Sequence, residues 1–152
     1  MLVTNHVLSG AVIGYVVPGS APAFAVGVLS HFALDVVPHW GVPSPIQEMM
    51  HVAVPDGLVG ATTMAVIALT APAHRRSRVV AAMAGAVLPD LDKPSTVFFG
   101  GSPFPAVLDA FHRVIQRESP RRMPQEVVVG LVGAATVTWL RRRTLALSAL
   151  RD

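Results

Sequence analysis

The sequence predicts an all-α fold: an integral membrane bundle of about five helices, with one further amphipathic helix lying in the interface. Three observations lead there. The chain is 52% hydrophobic and only 14% charged, against about 25% charged in an average soluble domain, and its mean hydropathy is +0.54. Its apolar residues fall in blocks parted by Pro, Gly or Arg. Its His and Asp residues sit at the ends of those blocks, often four residues apart. With 152 residues, one helical domain over 1–152 is expected.

The first block runs from about Leu2 to Val17 and ends at Pro18-Gly19-Ser20. It lacks a basic leader and a small-residue cleavage site, so it reads as a retained span. The second, Ala21 to Val37, ends at the turn-rich stretch Pro38 to Pro45. The third covers Val52 to Ala71. His74-Arg75-Arg76-Ser77-Arg78 separates it from the fourth, Val79 to about Leu88, and the fifth is Val127 to Leu140. Several blocks fall short of the roughly 20 residues that cross a bilayer. Between the fourth and fifth, Phe98 to Pro105 is rich in Gly and Pro. An amphipathic helix follows around Ala106 to Glu118, with Val107, Leu108, Phe111, Val114 and Ile115 on one stripe, suited to an interface.

His31, Asp35 and His39 step by four in Ser30 to Trp40, which places them in one row on a helix. Ionisable groups in an apolar segment mark a functional site by default, and imidazole with carboxylate is a donor set for a zinc-like ion. If all five blocks cross, His6, Asp35, His39, His51, Asp56, Asp90, Asp92 and His112 come to one face, with His74 and Asp152 opposite. Small residues continue the rows: Gly10 and Gly14 after His6, Ala23 and Gly27 before His31, Gly60 after Asp56, Ala82 and Ala86 before Asp90. Such rows face neighbouring helices, so the ionisable groups are expected inside the bundle. The candidate metal ligands are His6, His31, Asp35, His39, Asp90 and His112.

Several classes drop out. There is no Cys, hence no thiolate ligand and no disulfide. No Gly-x-Ser-x-Gly elbow, P-loop or dinucleotide fingerprint occurs. The twelve basic residues, Lys93 and eleven Arg, gather in connectors and near the C-terminus without interleaved aromatics, which suits anionic lipid and not nucleic acid. Seven (Arg75, Arg76, Arg78, Arg141, Arg142, Arg143, Arg151) fall on the face away from the candidate ligands and five on their own. The positive-inside rule then places the site on the extracytoplasmic face of a multi-pass cell-membrane protein.

Asn5-His6 with its following glycines, Gly27 to Trp40, Leu88-Pro89-Asp90-Leu91-Asp92 and Phe111-His112-Arg113 resemble the small bacterial membrane-bound metal-dependent hydrolases. That family is distantly similar to the zinc-dependent phospholipase C fold. The order of the Leu-Pro-Asp-x-Asp and Ser-His-x3-Asp pieces is reversed here. The nearest counterpart of the family's Thr-His-Ser segment is Phe111-His112-Arg113. The resemblance implies metal-dependent hydrolysis of a lipid-like phosphoester, with zinc as the first choice of ion and Mn, Fe or Mg as alternatives. A bound ion would polarise a phosphoryl oxygen and acidify water toward a pKa of ~7. Asp56 or Asp92 would serve as general base or ligate a second ion. Arg113 and Arg117, with Arg121 and Arg122 on the same side, would hold the phosphate. The alternatives are a metal-dependent prenyl-diphosphate lyase or cyclase, and a non-catalytic metal-binding membrane protein. The expected partners are the membrane and a lipid or other amphiphile.

Overall fold

The computed structural model describes residues 1–42 and 46–150. Part of the Pro38 to Pro45 connector, Arg151 and Asp152 lie outside the described residues. Seven α-helices follow in chain order: α1 Val3–Val16, α2 Ser20–Val36, α3 Met50–Thr70, α4 Ala73–Val87, α5 Asp92–Phe99, α6 Ala106–Ile115 and α7 Met123–Ala149. The described residues form no strand; an isolated parallel bridge joins His39 to Glu118.

The five apolar blocks correspond to α1, α2, α3, α4 and α7, and the amphipathic stretch to α6. Several boundaries differ from the sequence reading: α3 starts two residues earlier, at Met50, and α6 ends at Ile115 and not at Glu118. The basic run His74 to Arg78, expected as a connector, forms the first turns of α4. Helix α7 runs well beyond Leu140 and takes in Arg141 to Arg143. Long, unbranched Arg side chains are good helix formers, so charge alone ends neither helix. The short α5 in the Asp92–Phe99 segment was not expected.

Glycines set the packing of the central helices. A Cβ at Gly10 or Gly14 of α1 would overlap backbone atoms of α4 at Ala82, Met83 and Val79. One at Gly27 of α2 would overlap Ala82 O, and one at Gly85 of α4 would overlap Phe24 O. Helices α1 and α4 thus touch backbone to backbone, as do α2 and α4, with Ala82 and Ala86 fully buried between them. The apolar core is built on this contact from Val7, Leu8, Ala11, Tyr15, Val79 and Met83, closed by Ile67 of α3 and Val137 of α7.

The outer helices are apolar toward their surroundings. Helix α3 and the stretch Pro120–Ala149 are each long and apolar enough to cross a membrane, and only 11% of each apolar window is buried. Leu58, Leu69, Leu131 and Val132 all stand well exposed.

Candidate metal centre

Four chain segments deliver the site to one end of the bundle. Helix α1 carries His6 one turn from its start, on the face that Gly10 and Gly14 press against α4. Helix α2 carries His31 and Asp35 in its last two turns, one and two steps of four beyond Gly27. At the end of α4, Pro89 enters a 3-10 turn, Leu88–Leu91, that buries Asp90. Helix α6 supplies His112, its buried residue. None of His6, His31 and Asp35 is exposed at all.

Ligand atoms of His31, Asp35, Asp90 and His112 all lie within 4.8 Å of one another. The Nε2 atoms of His31 and His112 are 3.0 Å apart, and each is close to Asp35 Oδ2, at 3.2 and 3.0 Å. Both are 3.9 Å from Asp90 Oδ1. His6 stacks on His31 with ring centroids 4.0 Å apart. Its Nε2 is 3.3 Å from Asp35 Oδ1 and 3.9 Å from Asp90 Oδ2. Three imidazole nitrogens thus face the same two carboxylates.

The outer contacts orient two of the rings, His31 and His112, as they would be oriented in a ligand. His31 Nδ1 is 2.8 Å from the Ala86 carbonyl, which can only accept, so this nitrogen carries the proton and Nε2 presents a lone pair to the cluster. A carbonyl holding the far nitrogen is the usual support of a ligating His. His112 Nδ1 lies 3.4 Å from Asp92 Oδ2, the carboxylate version of the same support. His6 gives the strongest test of fit. Its Nδ1 is buried without a partner, and its Nε2, although 3.3 Å from Asp35 Oδ1, makes no well-directed hydrogen bond; an unsatisfied buried polar atom costs about 1–3 kcal/mol. An ion among the five side chains would satisfy Nε2. The donor set of imidazoles and carboxylates, all buried, fits a divalent ion.

A cation already neutralises part of the site: Lys93 Nζ ion-pairs with Asp90 Oδ1. Burial alone would raise the Asp90 pKa, but the charge of Lys93 and the neighbouring imidazoles hold it below the usual carboxylate range. At His112 burial disfavours the charged ring, and the hydrogen bonds it donates to Asp35 and Asp92 outweigh it and raise the pKa to about 9.

The other expected residues are placed as follows. His39 is not in the cluster. Helix α2 ends at Val36 and Pro38 breaks the four-residue row. His39 Nδ1 then turns back to the Val37 carbonyl at 2.8 Å, while its backbone pairs with Arg117 O and Ser119 N. Asp56 is not in the cluster either. Helix α3 begins at Met50, so Asp56 lies two turns inside it, and its carboxylate caps a different helix. It accepts from Val3 N at 2.6 Å, Thr4 N at 3.3 Å and Thr4 Oγ1 at 2.6 Å, where a carboxylate satisfies the free amides at the start of α1. Asp92 stands one layer out, behind His112. Arg113 follows His112 on α6. Arg117 lies in the α6–α7 connector and contributes its carbonyl to His39.

Two residues near the site were missed. Gln116 Nε2 lies 3.1 Å from His112 Nε2. Glu126, 2% exposed, accepts from Leu2 N at 3.1 Å and Asn5 Nδ2 at 2.6 Å through Oε2, and from Trp40 N at 3.0 Å through Oε1. It ties α7 to the start of α1 and to the α2–α3 connector. The signal was present: Glu126 is the one acidic residue of the α7 sequence.

Fold and site together define an all-helical protein with a buried His/Asp cluster able to hold a divalent ion. No family model, curated protein or solved structure matches the chain.

Proposed function

We propose that the protein is a multi-pass membrane protein that binds a divalent metal, zinc in first place, and hydrolyses a lipid-like phosphoester at the extracytoplasmic face. The observation that carries this reading is the convergence of His6, His31, Asp35, Asp90 and His112 in one buried cluster. The resemblance to the small membrane-bound metal-dependent hydrolases supports it. The exposed apolar faces of α3 and α7 support the membrane setting. Helices α1 and α4, of 14 and 15 residues, would rise only about 21–23 Å, less than the ~30 Å hydrocarbon core. In that setting their polar ends lie below head-group level, within reach of a lipid's phosphoester.

A bound divalent ion supplies a Lewis acid for a phosphoryl oxygen and an acidified water. The chain's own residues do the rest. His31 and His112 are held in ligand orientation by Ala86 O and Asp92. Asp92 is the carboxylate that would accept a proton, because its Oδ1 has no hydrogen-bond partner and only a 4.0 Å ion contact with Lys93. Arg113, exposed beside His112, binds phosphate. A groove of about 490 Å3 between α1, α3 and α7 is lined by none of the five cluster residues. It therefore does not enclose a hydrocarbon tail against the cluster, as a prenyl-diphosphate lyase needs, and hydrolysis is the preferred reading.

The test is release of head group or phosphate from phospholipid vesicles by protein loaded with zinc or manganese. Cleavage is expected, and chelator or Asp35→Ala should abolish it. Absence of cleavage across neutral and charged phospholipids, with metal bound, would leave a metal-binding protein without this activity.

A further inference from the structure

Helices α5 and α6 enclose a cavity of about 250 Å3 beside the cluster, with His112 as the shared wall. Each of its eight lining residues is polar or charged, and the volume falls below the roughly 300–1,000 Å3 of sites that enclose a whole ligand. It suits a head group. Both signs of charge line it. Lys93 is committed to Asp90, and Asp92 stands behind His112.

The informative pair is Asp109 and Arg113. They are four apart on α6, acid before base, the order that favours a helical ion pair. Yet among the described residues neither makes an ion pair. The cause is local: Ser102 Oγ donates to Asp109 Oδ1 at 2.9 Å and itself accepts from Phe104 N at 3.1 Å, so the loop before α6 holds the carboxylate. An unmatched anion and an unmatched cation thus line one cavity. Phe98, Phe99, Val107 and Val114 stand at least 71% exposed on the same two helices, as fits a head group still attached to its acyl chains.

We propose that this cavity binds a zwitterionic head group, with the phosphate at Arg113 and a cationic amine at Asp109. The proposal rests on the lipid-phosphoester reading of the neighbouring cluster and names its substrate class. It selects amino-alcohol phosphoesters over purely anionic ones.

The test measures binding of phosphoethanolamine and of glycerol 3-phosphate by calorimetry to the purified protein in detergent. Wild type should prefer phosphoethanolamine about tenfold, the worth of one charge-assisted hydrogen bond. Asp109→Asn should erase the preference while glycerol 3-phosphate still binds, which also shows the variant to be folded. Asp109→Glu should retain it, and Arg113→Gln should weaken both ligands. Equal binding by wild type, or a preference that survives Asp109→Asn, would overturn the proposal. Hydrolysis of phosphatidylethanolamine and phosphatidylglycerol vesicles separates the two readings. Preference in binding without cleavage of either lipid supports the cavity and removes the hydrolase. Cleavage of both without preference in binding removes the cavity's assignment and keeps the hydrolase.

Discussion

His31 and Asp35 share one face of α2 because they are four apart, and that much was legible from spacing alone. So was the inward facing of His6 and Asp90, since each continues a row of small residues. His39 was misplaced because Pro38 ends the helix just before the next step of the row. Asp56 was misplaced because its partners, Val3 and Thr4, are more than fifty residues away and no local pattern announces them. The structure thus gives Asp56 a capping role: Asp56→Ala should cost about 1–2 kcal/mol of stability and leave metal content unchanged. Thermal unfolding and metal analysis on one preparation check both halves. Glu126→Ala should cost about 2–3 kcal/mol, because Leu2 N and Trp40 N lose their acceptor and Asn5 Nδ2 keeps only the Glu126 carbonyl, and Glu126→Gln should recover much of it. Proton linkage is a further residue-scale expectation. With its pKa raised to about 9, His112 is an imidazolium at neutral pH and must lose that proton to ligate. Metal affinity should therefore rise with pH, up to about tenfold per unit below pH 9 for this one proton. Titrations at pH 6.5 and 7.5 that show equal affinity would take His112 out of the ligand set.

Among the elements, α4 was the least legible. Its sequence begins with five basic or polar positions in six, yet it is the helix on which α1 and α2 both pack. The reason is that its contact face combines Val79 and Met83 with Ala82, Gly85 and Ala86, and the small residues carry little hydrophobic signal but allow backbone approach. Gly27→Val puts a branched side chain where even a Cβ overlaps Ala82 O. It should force α2 from α4 and move His31 with it, so metal content should fall although no ligand is altered. A variant with full metal content would show that the two helices can separate without disturbing the cluster. Helix α6 was read correctly from its apolar stripe, whereas α5 was hidden by the Gly/Pro-rich stretch that follows it.

On the scale of the molecule, the ionisable groups are expected at one end because helices that alternate in direction return every second connector to the same side. The described structure brings five of them together from four chain segments. The membrane reading makes its own prediction about orientation. On that reading the excess of Arg at the far end, including Arg75, Arg76, Arg78 and Arg141 to Arg143, would place that end in the cytoplasm. A reporter active only in the cytoplasm should be active when fused after α7. A silent reporter at normal expression would put the site on the cytoplasmic face.

The most direct test of the account is metal analysis of protein purified in detergent without chelator. Wild type should carry close to one or more equivalents of a divalent transition metal, and His31→Ala and Asp35→Ala should lose most of it while Asp56→Ala keeps it. Wild-type protein free of metal, and unable to take up zinc, manganese or iron on titration, would contradict the account and leave the His/Asp cluster as a buried network of hydrogen bonds and ion pairs.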